Sequence, residues 1–246
     1  AEIIKIEKPK TGDDTRFWGP PFNKNYHNQS TYFQSINFNK KSLAIDMRKQ
    51  QGQEILHQLA SKSDIIIENF KPNALQKYNL DFDYISKNIN PQVIYTSLTG
   101  YGQTGPYKNR GGYDVIASSL SGFMSITGTE QQVIRPGVAI TDISTALYAH
   151  GAILAAVLEK NQKQEDFEAT WINCNLLATQ ISVNSYAMSN FLNGDKTISK
   201  RWGTAHPSIV PYQSFKCSDG CWLTLGIGND KQYQDFLQVL ATIFKD

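Results

Sequence analysis

The feature that most constrains this chain is a series of short apolar, β-branched runs separated by helical patterns. Strand-like runs fall at 2–7, 43–47, 64–68 and 93–98, and helical patterns at 51–60 and 82–88 lie between the later ones. Strands joined through helices pair in parallel, because the crossover returns the chain to the same end of the sheet. Asp64-Ile65-Ile66-Ile67 is apolar at consecutive positions, as a strand covered on both faces must be. The pattern predicts an α/β fold with a doubly wound parallel sheet.

Beyond residue 98 a glycine-rich loop is expected over 99–112, and a loop that long in a compact domain is usually functional. Helices are predicted over 113–125 and 143–160, a strand over 167–173 and a helix over 176–192. Two runs at 212–217 and 221–226 flank Ser218-Asp219-Gly220, a hairpin signal. Residues 1–205 therefore read as one large domain, and 206–246 as a linker and the start of a smaller second one. The chain opens inside a strand pattern without a leader and closes on a helical pattern at 231–240 without a C-cap. Both ends read as cut, the chain being a segment of a longer protein.

Composition excludes several classes. Lys plus Arg number 24 and Asp plus Glu 22, a net charge of +2, which gives no basic face for nucleic acid or an anionic membrane. No apolar run reads as approaching the roughly 18 residues of a membrane span. Three cysteines in 246 residues argue against a disulfide framework and for a reducing compartment.

Gly100-Tyr101-Gly102-Gln103-Thr104-Gly105 matches a dinucleotide fingerprint. That fingerprint needs a helix starting at once and an acidic residue about 20 positions on. Pro106, Gly111 and Gly112 keep the chain irregular, and 121–129 holds no acidic residue, so NAD is rejected. Cys174, Cys217 and Cys221, with the scattered His27, His57, His150 and His206, complete no zinc set, and no metal is expected. His206 lies in the Pro/Gly-bounded connector Arg201-Trp202-Gly203-Thr204-Ala205-His206-Pro207, which reads as a linker or a site. Asp142 stands where an apolar helix begins. There it is either an N-cap accepting backbone N–H groups or an ionised nucleophile, and spacing does not decide.

Several runs together resemble the class III CoA-transferases: Gly12-Asp13-Asp14-Thr15-Arg16, Asn39-Lys40-Lys41-Ser42, Glu68-Asn69-Phe70-Lys71-Pro72, Gly100 to Pro106, and Arg135-Pro136-Gly137-Val138-Ala139-Ile140-Thr141-Asp142. Arg16-Phe17-Trp18-Gly19-Pro20-Pro21-Phe22 and the Arg201–His206 connector resemble the mitochondrial branch that exchanges CoA between succinate and glutarate. The resemblance implies a Rossmann-like domain with flanking helices, a smaller second domain and an interlocked-ring homodimer. It implies a mitochondrial location, or a cytoplasmic one in a prokaryote. It makes Asp142 the nucleophile of a covalent anhydride and an aspartyl-CoA thioester, with succinyl-CoA as donor and a dicarboxylic acid such as glutarate as acceptor. Acyl-CoA is then a substrate and no resident cofactor is required.

By the same register, Lys8, Ile45, Arg48, Asn69, Phe70, Lys71, Lys77, Tyr78, Gly102 and Tyr113 fall at CoA-contacting positions. Three phosphates want cations and an adenine wants an apolar or aromatic face. Arg16, Arg135, Arg201 and His206 are the candidates for the acceptor. Asn73 stands where relatives commonly carry Gly, a change that left-handed backbone tolerates. Two rivals remain: an α-methylacyl-CoA racemase-like enzyme, disfavoured because Tyr113 occupies the position of its histidine base, and a non-catalytic CoA-binding paralogue.

Overall fold

A computed structural model describes residues 1–244. The elements run β1 (Ile4–Glu7), β2 (Phe22–Asn23), β3 (Gln29–Ser30), α1 (Thr31–Ile36), β4 (Lys41–Ala44), α2 (Gln50–Ala60), β5 (Ile65–Glu68), α3 (Phe82–Asn88) and β6 (Ile94–Thr99). They continue through α4 (Asp114–Leu120), α5 (Phe123–Ile126), α6 (Ile140–Lys163), β7 (Thr170–Asn175), α7 (Leu176–Val183), α8 (Ser185–Asn193), β8 (Tyr212–Lys216), β9 (Trp222–Gly226) and α9 (Asp230–Ile243). The chain divides into two compact units. The first comprises Ala1–Ile66, Asn73–Tyr95 and Val157–Trp171; the second comprises Ile67–Pro72, Thr96–Ala156 and the chain from Ile172 onward.

In the first unit β1 and β4 pair in parallel, with Ile4 opposite Lys41 and Glu7 opposite Ala44. The strand expected at 43–47 ends early because Asp46 Oδ1 accepts the Arg48 N–H at 3.1 Å and turns the chain toward α2. Helix α2 buries Gly52, Leu56 and Ala60 at four-residue spacing. Position 52 admits only glycine, since a Cβ there would lie 2.2 Å from the Asp46 carbonyl oxygen.

The core of this unit is Ala60, Ile85, Val93 and Tyr95, with Ile66, Leu80, Phe82, Ile89 and Ala169 packed around it. The buried Tyr95 hydroxyl donates to the Leu80 carbonyl at 2.8 Å, which removes the cost of burying it. Ile94 N–H donates to the Asp64 carbonyl, and Thr170 N–H to the Val93 carbonyl, each at 3.0 Å. These bonds join the beginnings of β5, β6 and β7, so the three strands run the same way in the order β5-β6-β7. The α/β class with parallel pairing is what the sequence pattern predicts. The parallel strands are divided between a pair and a triplet, and β2 and β3 add a short antiparallel pair.

The second unit holds α4, α5, most of α6, α7, α8, the hairpin and α9. The hairpin runs from Tyr212 opposite Gly226 to Lys216 opposite Trp222, with Gly220 at φ 86° in its turn. Two helices expected as single are broken. Gly122, at φ 84°, separates α4 from α5. The Asn184 side chain donates to the Ser121 carbonyl at 2.8 Å, and α7 ends at Val183, with Ser185 at φ 47° opening α8. One sequence expectation needs correction: α6 is long and apolar enough, by length and composition, to cross a membrane. Its scattered Thr, Ser, His and Gly residues hid that length from a reading by unbroken apolar runs.

Candidate active site

Asp142 lies in the first turn of α6, not at its N-cap. The helix begins two residues earlier, at Ile140, and the Ala139 carbonyl accepts the Ile143 N–H at 3.0 Å. Alanine offers no side-chain acceptor for the free N–H groups of that turn. Asp114, the first residue of α4, supplies one instead. Its Oδ2 accepts the Thr141 N–H at 2.8 Å and the Asp142 N–H at 3.3 Å. The Asp142 carboxylate is therefore released from capping, is exposed to solvent and makes no hydrogen bond or ion pair among the described residues. Partial burial, reinforced by the Asp114 charge, pushes its carboxyl up from the ordinary carboxylate range. A more basic, unbonded carboxylate at an accessible position can attack an electrophilic carbonyl.

A buried polar lattice fixes the start of α6. The Thr141 hydroxyl donates to Gln180 Oε1 at 2.7 Å and lies 2.7 Å from Ser118 Oγ. Gln180 Nε2 donates to Asn184 Oδ1 at 3.2 Å, and Thr145 Oγ1 donates to the Thr141 carbonyl at 2.7 Å. A satisfied network of this kind ties α4, α6 and α7 into one rigid arrangement.

The glycine-rich loop closes on itself at a neck. A Cβ on Gly112 would lie 2.2 Å from Gly100 Cα, and one on Gly100 would lie 2.5 Å from Gly112 Cα. The two backbones touch there, which delivers Tyr113 and Asp114 directly to the start of α4. Helix α4 begins well past Gly105, so no helix N-terminus follows the glycine motif immediately. Gly102, at φ 88°, donates its N–H to Thr99 Oγ1 at 2.9 Å. Tyr113 is 70% exposed. Within the loop, Arg110 lies 4.0 Å from the Tyr107 ring centroid.

Also in this unit, Asn69, Phe70 and Lys71 are exposed on the turn after β5. Glu68 shapes that turn by accepting the Phe70 N–H at 2.7 Å, and burial pushes its own carboxyl up. Arg201 Nε donates to the Thr129 carbonyl at 2.8 Å. His206 Nδ1 accepts the Ser208 N–H at 3.1 Å, and its ring packs edge-on against Tyr212. Arg135 is exposed and makes no hydrogen bond or ion pair among the described residues.

The first unit gathers other predicted contacts. Arg48 is gripped by Asp46, Nε to Oδ1 at 2.8 Å and Nη2 to Oδ2 at 2.9 Å. The Tyr78 phenol is near enough to act on the Arg48 charge, and Lys77 Nζ sits 4.9 Å from the Tyr78 ring centroid. Two cations and an aromatic ring thus stand together. Lys8 is solvated beside Asp14, and Ile45 is buried. Asn73 is left-handed at φ 63°, as its sequence position suggested. Arg16 is differently placed: Nε and Nη2 donate to both oxygens of buried Glu7, at 2.8 and 2.7 Å.

Asp114, Thr141, Gln180 and Glu68 were missed by sequence reasoning. An acidic residue opening α4 was the one available signal. Among the described residues no group of three or more His, Cys, Asp or Glu is arranged to hold a metal. All three cysteines are free thiols.

Comparison with known proteins adds four findings. A family model described as CoA-transferase family III matches residues 1–243. Succinyl-CoA:glutarate CoA-transferase of Mus musculus is 48% identical, over 98% of this chain and 53% of that protein. Succinate--glutarate CoA-transferase of Agrobacterium fabrum is 40% identical, over 98% of this chain and 60% of that protein. The crystal structure of a CAIB/BAIF family protein from Brucella suis superposes with a TM-score of 0.85 at 37% identity, covering 98% of this chain and 62% of that one. The chain spans about half the length of the mouse relative. On motifs, fold and a match along nearly its whole length, the chain belongs to CoA-transferase family III.

Proposed function

We propose that the full-length polypeptide is an acyl-CoA:carboxylate CoA-transferase that moves CoA from succinyl-CoA to a dicarboxylic acid such as glutarate, with Asp142 as nucleophile. The observation that carries this reading is the Asp142 carboxylate, accessible and unbonded because Asp114 caps the helix in its place. In this mechanism an Asp142 oxygen attacks the donor thioester carbonyl, the C–S bond breaks and sulfur leaves as thiolate. The thiolate then attacks Asp142 Cγ and expels succinate, leaving an aspartyl-CoA thioester. The acceptor acid takes CoA by the reverse steps. Every bond formed is as activated as the one broken, so the sequence of exchanges needs no outside energy source.

The grouped Arg48, Lys77 and Tyr78 suit the phosphates and adenine of CoA. Lys8, Ile45, Asn69, Phe70, Lys71, Gly102 and Tyr113 complete the proposed contacts. Arg135, without a hydrogen bond or ion pair among the described residues, is the favoured reader of the acceptor's far carboxylate. Arg16 and Arg201 already donate to Glu7 and Thr129, and the His206 ring accepts the Ser208 N–H. Residues 206–246 are taken as the opening of a smaller domain. The intertwined homodimer belongs to the same proposal and is supported by Ile143, Leu147 and Leu154, which stand 47%, 64% and 50% exposed along α6. So does a mitochondrial location in a eukaryote, or a cytoplasmic one in a prokaryote.

The test is turnover of full-length wild type and Asp142→Asn with succinyl-CoA and a panel of acids, followed by mass spectrometry of the protein. Wild type should carry CoA on Asp142, and the variant should lose at least about a thousandfold in kcat. Normal turnover by Asp142→Asn refutes the nucleophile. Exchange of an α-proton into solvent without transfer indicates a racemase.

A further inference from the structure

We propose that Asp114 is the positioning residue of this site: it holds the start of α6 with its own carboxylate, and it keeps a second negative charge beside Asp142 that acylation of Asp142 relieves. The inference rests on the nucleophile reading of Asp142 and assigns a role to a residue which that reading leaves out.

Capping alone does not require aspartate. One acceptor oxygen satisfies the Thr141 and Asp142 N–H groups, and asparagine offers that oxygen without a charge. Yet Asp114 is only 8% exposed, and its second oxygen, Oδ1, is buried without a hydrogen-bond partner among the described residues. A bare, desolvated carboxylate oxygen costs stability, and such costs persist where function needs them. Of the groups that α4 and α7 turn toward the start of α6, namely Asp114, Ser118 and Gln180, Asp114 alone is charged. Its effect is seen in the Asp142 carboxyl, which burial and then the Asp114 charge push upward.

The charge acts in one direction on the chemistry. In the resting site an Asp114 carboxylate oxygen lies 3.3 Å from the Asp142 backbone nitrogen, near enough for its charge to act on the Asp142 carboxyl. When an Asp142 oxygen bonds the acyl carbon and the C–S electron pair leaves with sulfur, Asp142 becomes a neutral anhydride. After the thiolate attacks Cγ and the acid departs, it is a neutral thioester. Either covalent state has one anion fewer beside Asp114, so the repulsion raises the free state and not the loaded one.

Asp114→Asn and Asp114→Ser separate the two roles: Asn keeps a capping oxygen at the same reach and removes the charge, whereas Ser, one bond shorter, removes the charge and loosens the cap as well. In the full-length protein, the acid limb of kcat/KM should move to lower pH by about half a unit or more in both variants. The fraction of enzyme held as CoA thioester, at a fixed ratio of succinyl-CoA to succinate, should fall about threefold, the same free energy read a second way. A merely structural cap would move neither. An unshifted acid limb and an unchanged thioester fraction in a folded neutral variant overturn the inference, and either variant suffices if the other is insoluble. Asp142→Asn, assayed beside them, keeps the failures apart. If it turns over normally the nucleophile reading falls and this inference with it; if it is silent while the Asp114 variants stay unshifted, only the positioning role falls.

Discussion

Replacing Glu7 by glutamine should expose how much of the first unit's stability rests on one buried ion pair. The Glu7 side chain is 3% exposed. It accepts Arg16 Nε and Nη2 at 2.8 and 2.7 Å, Ser42 Oγ at 2.8 Å and the Asp13 N–H at 2.8 Å. The Arg16 bond dominates and holds the carboxyl at about 2, against 4.5 for a free glutamate. A folded-state value below the unfolded one means the stabilisation is complete above pH 4.5 and drains away as pH falls toward 2. At about 1.4 kcal/mol per unit, the full difference is on the order of 3 kcal/mol. Only part of it lies in an accessible window: between pH 5 and pH 3 the wild type should lose about 2 kcal/mol through this group. Glu7→Gln should cost about 2–4 kcal/mol at pH 7, because the Arg16 charge is left half-buried without its partner. It should also remove that acid-dependent loss. Urea denaturation at pH 7, 5, 4 and 3, followed by tryptophan fluorescence, reads both. Wild-type and variant curves falling in parallel between pH 5 and pH 3 would refute the reasoning, since the difference between them isolates Glu7 from the other carboxylates.

Two further substitutions probe the site's scaffold and its selectivity. Gly112→Ala puts a Cβ 2.2 Å from Gly100 Cα and forces the loop neck apart; it should cost about 1–3 kcal/mol by thermal or urea unfolding and lower kcat, and an unchanged protein would show that the neck does not hold Asp114 in place. Arg135→Ala should raise KM for a dicarboxylic acceptor about tenfold or more while leaving a monocarboxylic acid of similar length nearly unchanged, and equal effects on both would remove Arg135 as the reader of the far carboxylate.

Local signals carried the fold well and the site only partly, for a physical reason visible in particular residues. Ile65-Ile66-Ile67 and the Gly52, Leu56, Ala60 spacing are written in consecutive side chains, and the strand and helix they predict are present. The boundaries missed are those where a side chain from elsewhere intervenes, as when Asn184 reaches Ser121 and α7 ends at Val183, nine residues short of the expected end at 192. Asp142 is the sharpest case. An aspartate before an apolar helix reads as cap or as nucleophile, and spacing does not decide, because both readings depend on what occupies the free N–H groups. That occupant is Asp114, separated from Asp142 by 28 positions and brought there by the touching backbones of Gly100 and Gly112. The two glycines are legible as glycines; their contact is not. A carboxylate left free because another residue has taken over the capping is therefore invisible to spacing, and becomes visible only when the tertiary partner that relieves it is in view.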